Sequence, residues 1–294
     1  MPELPEVECV CLSLQRLVVG RTIEAVRVGR SDVITGSSRD ASLLVGDAVA
    51  RVIRRGKQLA LVGAGGGCVS VHLGMSGQLC VVEVEAAGPP HKQRTASPSG
   101  SVDLMGLPIH SHVVWRLDDG RRLRFTDPRR FGGVWTFASE AALLAERWSQ
   151  LGPDALRITP SELTQGLSQT RRGLKAALLD QSVVAGLGNI YVDELLFNAK
   201  LHPLTPAHRI DAATTRSLVQ RMRTLLNGAI ARGGSSLRDY VDGENQRGSQ
   251  QTRHRVYGRA GRRCKRRGCS GVIESDQIAG RTTAWCPRCQ SISS

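Results

Sequence analysis

The 294 residues carry 40 Lys and Arg against 26 Asp and Glu, a formal net charge of +14, with aromatics at only 4%. No stretch of about 18 consecutive apolar residues occurs, which excludes a helical membrane span. The acidic opening Met1-Pro2-Glu3-Leu4-Pro5-Glu6 lacks the basic-then-apolar pattern of a signal peptide, so a cytoplasmic, nucleoid-associated protein is expected. The charge excess favours a polyanionic partner, because each phosphate neutralised by Lys or Arg releases condensed counterions.

Taken in chain order, Leu12, Leu14, Leu17 and Val18, closed by Gly20, predict a short helix over 10–19. β-like runs follow at Ile23–Val28, Ala48–Ile53, Leu59–Val62, Val69–Leu73 and Gln78–Val84, then at His112–Leu117 and Leu123–Thr126. Short strands at this spacing predict a sandwich or barrel rather than a parallel α/β sheet. Between them, 85–108 is rich in Ala, Gly, Pro and Ser and reads as a long mobile loop. Helical spacing marks 140–150, Ser161–Leu167, Leu174–Leu179, Tyr191–Phe197 and Ala212–Ala231, with Gly233-Gly234 as the stop after the last. Residues 238–255 are polar and aperiodic. From Arg247 to Arg267 there are nine Lys or Arg and no acid, the pattern of a binding surface or a basic arm.

Cys9, Cys11, Cys68 and Cys80 are scattered and read as idle buried thiols. Cys264, Cys269, Cys286 and Cys289 are different. The pattern Cys-x4-Cys, 16 residues, Cys-x2-Cys lets two knuckles close a tetrahedron around one Zn²⁺. A four-sulfur site leaves no open position, so the metal would be structural, pinning a hairpin too small to bury its own core. Arg281, near the tip, suits phosphate because the guanidinium forks onto two oxygens.

The N-terminus carries a second candidate chemistry. Removal of Met1 would leave Pro2 with a free secondary amine, whose reference pKa near 8 keeps roughly a tenth neutral at pH 7. Such an amine attacks a sugar carbon and forms a permanently cationic iminium, an electron sink that drives elimination. Glu3 and Glu6 flank it, and Lys57 offers a further proton donor.

Five segments together resemble the Fpg/Nei glycosylases, and the Fpg (MutM) type among them: Met1-Pro2-Glu3-Leu4-Pro5-Glu6-Val7-Glu8, Gly56-Lys57, His72-Leu73-Gly74-Met75-Ser76-Gly77, Asp127-Pro128-Arg129-Arg130-Phe131-Gly132 and Gly186-Leu187-Gly188-Asn189-Ile190-Tyr191. The Arg281–Gln290 stretch is also similar, so the likeness spans nearly the whole chain. It implies a multidomain α+β fold: a β-sandwich flanked by helices over 1–150, a helix–two-turn–helix domain over 151–235, a base-capping loop over 236–255 and a zinc-finger β-hairpin over 256–290.

The resemblance also implies roles. Pro2 is the Schiff-base nucleophile, Glu3 the acid at the sugar, Glu6 its support. Lys57 is tied to β-elimination and Arg281 to δ-elimination. His110, Arg129, Lys175 and Asn189 contact DNA. Met75, Arg129 and Phe131 fill the gap left by a flipped base, offsetting part of the few kcal/mol that flipping costs. The partner is duplex DNA with damaged bases or abasic sites, bound by a monomer, and the activity is a bifunctional glycosylase/lyase for 8-oxoguanine and formamidopyrimidines. Two alternatives stay open: a Nei-type enzyme for oxidised pyrimidines, and a zinc-dependent damage-binding protein without catalysis. The sequence departs from the family pattern in its Cys-x4-Cys spacing, in Thr170 where some relatives have lysine (with Arg171 and Arg172 beside it), in a capping segment Gly248-Ser249-Gln250 without an aromatic, and in the length of 85–108.

Overall fold

The computed structural model describes residues 1–35, 43–83, 110–236 and 240–292. The loop expected at 85–108 lies outside the described residues, as does 237–239 of the capping segment. The first helix, α1, spans Leu4–Val18, six residues earlier than the apolar spacing predicts. Its start is set by a capping box between Glu3 and Glu6 with Pro5 in the first turn, where a missing N–H costs nothing.

Among the described residues, nine strands follow: β1 (Ile23–Val28), β2 (Ile34–Thr35), β3 (Val49–Arg55), β4 (Gln58–Gly63), β5 (Cys68–His72), β6 (Gln78–Val82), β7 (Ser111–Leu117), β8 (Arg122–Thr126) and β9 (Gly133–Phe137). They form a four-stranded sheet, β1-β7-β8-β6, and a five-stranded sheet, β2-β9-β5-β4-β3. All pairs are antiparallel except β2 with β9.

Period-two alternation explains the layering. Leu59, Leu61, Val69 and Val71 meet Trp115, Leu123 and Phe125 of the facing sheet and Val10 and Leu14 of α1 in one core. The alternate residues Ala60, Val62 and Cys68 turn to the opposite face and pack on Leu143 and Trp148, from α2 (Glu140–Glu146) and the turn after it. The second sheet is therefore covered on both faces, as a buried strand run requires.

The second lobe holds α3 (Pro160–Ser168), α4 (Leu174–Leu179), α5 (Asn189–Ala199) and α6 (Ala212–Ile230) around a core of Leu163, Leu178, Tyr191, Leu195 and Met222. A turn at 181–183 and bends at 184 and 186 lead from α4 to α5. Leu4, the first residue of α1, belongs to this helical core, while Val7, Val10 and Leu14 belong to the sandwich. One helix thus rivets both lobes. A hairpin of β10 (Glu274–Ile278) and β11 (Arg281–Trp285) closes the chain. Its small core joins Ile273, Ala284 and Cys286 to Phe197 of α5.

Candidate active site

Helix α5 organises the site. A helix N-terminus carries orphan N–H groups and a positive dipole end, which suit a carboxylate. Glu3 supplies one, accepting from Gly188 N (2.7 Å), Ile190 N (2.8 Å) and Tyr191 N (3.3 Å). Only glycine fits at 188, since a Cβ there would stand 2.4 Å from the Glu3 carboxyl carbon. Burial raises the Glu3 pKa, opposed by the Lys57 ammonium and these N–H groups. Glu6 lies behind it. Its Oε2 accepts from Glu3 N (2.9 Å), and its Oε1 accepts from the Tyr191 hydroxyl (2.5 Å) and Ser235 N (2.7 Å). Burial first, and the Glu3 charge second, push the Glu6 carboxyl up to about 7.

Lys57 stands in the tight turn between β3 and β4, and burial lowers its pKa, with the Arg281 charge adding to the shift. That turn is held from the other lobe. Asp154 Oδ2 accepts from Gly56 N (2.9 Å) and from Arg54 Nη1 (2.6 Å), and the same guanidinium also binds Glu8 and Gly56 O. The residues before Lys57 are thereby fixed to the linker that enters the helical domain.

These groups open on one cleft of about 820 Å³ lined by Met1, Glu3, Lys57, Met75, Phe131, Asn189 and Arg281, among others. Pro2 is buried between Met1 and Glu3, which both line the cleft. Met75 is 37% exposed and Phe131 58%. Two apolar side chains left open at the mouth of a cleft are not core residues. The Arg129 guanidinium lies 5.1 Å from the Phe131 ring centre. The loop beneath them is built by Asp127, which accepts from Ser76 Oγ (2.6 Å) and Gly132 N (2.7 Å), while Ser76 Oγ accepts from Arg129 N (3.1 Å).

The hairpin forms the far wall. Asn189 Nδ2 donates to Thr282 O (2.9 Å) and Ala284 N donates to Asp193 Oδ2 (3.0 Å), so α5 sets the position of Arg281. The other oxygen of Asp193 holds Lys175 Nζ at 2.6 Å, with Lys175 wholly buried. Lys175, expected to contact DNA, is here buried, and its ammonium joins α4 to the hairpin through Asp193. Burial lowers the Lys175 pKa and raises that of Asp193 to about 6. His110 is exposed at the start of β7 and is absent from the cleft lining among the described residues. Arg172 lines the cleft, paired with Asp180 at 2.7 Å.

The four hairpin thiols suit a metal. Their sulfurs all lie within 4.8 Å of one another. Cys264–Cys289, Cys269–Cys286 and Cys269–Cys289 are 3.9, 3.7 and 3.4 Å apart. Zn–S bonds of about 2.3 Å put the edge of a tetrahedron at about 3.8 Å. Arg266 N and Gly271 N each point at a sulfur (3.4 Å), and a Cβ on Gly271 would stand 2.8 Å from Cys286 Sγ. The wider first knuckle has its own contacts: Lys265 Nζ donates to His254 O (3.0 Å), and Arg266 donates to Phe197 O while covering the Phe197 ring. Lys265 and Arg266 thus fasten the knuckle to α5 and to the segment before it.

A buried acid next to Pro2, a basic cleft wall and a hairpin whose four thiols suit zinc define a nucleic-acid-processing enzyme of the helix–two-turn–helix class. Family models agree along the chain: the formamidopyrimidine-DNA glycosylase N-terminal domain matches 1–134, its H2TH domain 151–241, and the zinc finger found in FPG and IleRS 261–292. A formamidopyrimidine-DNA glycosylase from Heliobacterium modesticaldum is 40% identical over 99% of this chain and all of its own length. The crystal structure of the MutM (FPG) protein from Thermus thermophilus superposes with a TM-score of 0.81 at 35% identity, covering both chains fully. A Lactococcus lactis FPG mutant in complex with Fapy-dG-containing DNA gives 0.83 at 30% identity, covering 99% of this chain and 100% of its own. The chain belongs to the formamidopyrimidine-DNA glycosylase family.

Proposed function

We propose that this protein excises oxidised purines, 8-oxoguanine and formamidopyrimidines, from duplex DNA and then nicks the strand at the abasic site. With Met1 removed, the Pro2 amine attacks C1′ of the flipped nucleotide. The damaged base leaves, and the iminium acidifies the C2′ proton, so that β- and then δ-elimination leave a one-nucleotide gap with phosphate on both ends. Glu3 is the acid at the sugar, held at the N-terminus of α5 at one edge of the cleft. Lys57 serves the first elimination and Arg281 the second, both from the cleft wall. Met75, Arg129 and Phe131 occupy the vacated stack. His110, Arg129 and Asn189 meet the DNA. Zinc, when bound by Cys264, Cys269, Cys286 and Cys289, locks the hairpin that presents Arg281. The protein acts as a monomer in the cytoplasm, on the nucleoid.

The observation that carries this reading is the meeting of Glu3, Lys57 and Arg281 in one cleft beside Pro2, drawn from positions 3, 57 and 281 of the chain. Bearing on the substrate, the relatives are named for formamidopyrimidine-DNA, and one related structure holds a Fapy-dG lesion. Duplexes carrying 8-oxoguanine or thymine glycol provide the test. Faster excision of 8-oxoguanine, with phosphate on both flanking ends, is expected. Preference for thymine glycol would move the protein to the pyrimidine-specific type, and binding without excision of either would reduce it to a damage-binding protein.

A further inference from the structure

Behind the cleft, a line of buried polar groups runs away from Glu6. The Tyr191 hydroxyl donates to Glu6 Oε1 (2.5 Å) and lies 3.3 Å from Ser235 Oγ, which lies 3.2 Å from His254 Nε2. Every member is buried: Tyr191 0% exposed, Glu6 1%, Ser235 5%, His254 5%. His254 lines a separate cavity of about 360 Å³ with Gln251, Thr252, Arg259, Arg262 and Lys265. At its other end, Glu6 Oε2 accepts the N–H of Glu3, the peptide next to Pro2.

Resting on the proposed function, we infer that His254, Ser235 and Tyr191 form a proton path between Glu6 and that second cavity, used while DNA fills the catalytic cleft. The chemistry requires one. The Pro2 amine is mostly protonated at neutral pH and must lose a proton before it attacks. Glu6 is buried behind Glu3 and does not line the cleft, and DNA seated in the cleft would cover Glu3, which does.

The transfer balances. An N–H bond of the Pro2 ammonium breaks and an O–H bond forms on Glu6. The Tyr191 hydroxyl, which donates to ionised Glu6, turns to Ser235 Oγ once Glu6 is protonated; Glu6 then donates to Tyr191, Tyr191 to Ser235, Ser235 to His254 Nε2, and His254 Nδ1 releases one proton into the cavity. Each hydroxyl gives one proton and gains one, and the hydrogen bonds reverse direction. The histidine passes a proton by exchanging tautomers, since burial and the neighbouring Lys265 hold its pKa down to about 4. The groups facing Glu6 are Glu3, Tyr191, Ser235, Lys57 and, at its backbone carbonyl, Tyr240. Those facing His254 are Ser235, Lys265 and Tyr257.

Ser235→Ala and His254→Ala test the path in zinc-loaded full-length protein with Met1 removed, under single turnover on an abasic duplex. Ser235→Ala keeps the backbone N–H to Glu6 and cuts only the hydroxyl link. Both variants should bind the duplex as the parent does yet form the borohydride-trapped adduct about 100-fold more slowly, the scale of a lost proton-transfer group. Imidazole in the buffer should restore His254→Ala, by entering the cavity, and leave Ser235→Ala slow. Parental rates in Ser235→Ala, or a slow His254→Ala that imidazole does not restore, would overturn the path. Failure of the parent itself to form an adduct would instead remove the Pro2 mechanism on which the path rests.

Discussion

The sandwich and the seam around α5 are both fully buried, yet they are built from opposite materials. The sandwich core is apolar, with Trp115, Phe125, Leu59, Leu61 and Leu123 each at most 1% exposed. Along the seam, Glu3, Glu6, Lys175, Asp193 and Glu194 are each at most 3% exposed. Burying charge costs several kcal/mol per ion unless hydrogen bonds replace water. Each of these carboxylates meets that condition with backbone N–H groups; Glu194, for instance, accepts from Arg255, Val256 and Tyr257. The apolar region supplies stability that any close-packed core would supply. The polar region fixes α1, α4, α5 and the hairpin in one register, and that register builds the candidate active site.

Paired substitutions break the comparison most strongly. Trp115→Ala should cost about 3–5 kcal/mol by leaving a cavity. Asp193→Ala should cost a similar 3–5 kcal/mol, roughly, by stranding the Lys175 ammonium. Chemical denaturation reads both. Single-turnover excision by the folded fraction should separate them: unchanged for Trp115→Ala, and lost about 100-fold for Asp193→Ala as Arg281 loses its support. Equal loss of rate in both would erase the distinction.

A smaller effect is expected from pH. The Glu6 carboxyl is raised in the folded protein from 4.5 to about 7, so its protonated form favours folding. Its contribution is complete below pH 4.5 and is lost as pH rises through about 7, a swing of up to roughly 3 kcal/mol at about 1.36 kcal/mol per pH unit. Glu6→Gln should flatten the stability profile across that window; an unchanged slope would mean that Glu6 does not titrate there. Smallest is Met75→Ala, whose side chain is exposed. It should leave stability within about 0.5 kcal/mol while lowering lesion excision by roughly tenfold, because the vacated stack is filled less well. Abasic-site nicking should fall less, since no base need be displaced.

What the sequence shows follows the same divide. Alternation marks β1, β4, β5, β7 and β8 within a residue or two of their limits. β9 escapes because Gly133–Phe137 is buried on both faces between glycines and a helix start, with no alternation to read. The beginning of α1 escapes because its first turn is buried all round, Leu4 in the helical core, Glu6 on the polar seam and Val7 in the sandwich, so no one-sided apolar spacing marks it. Spacing reveals the zinc thiols. Family motifs bring Pro2, Glu3, Lys57 and Arg281 forward. The Lys175–Asp193 pair and the Arg54–Asp154 clasp leave no local pattern, since their members are 18 and 100 residues apart. Lys175 is tied to a buried partner, and nothing near position 175 announces it.

The central claim is that the buried acid pair serves the Pro2 amine. Its most direct test is borohydride trapping on an abasic duplex with the zinc-loaded protein, Met1 removed, followed by peptide mapping. The account predicts a covalent adduct at Pro2, lost in Pro2→Gly although DNA binding persists. An adduct at Lys57 or elsewhere, or one that survives Pro2→Gly undiminished, would contradict it.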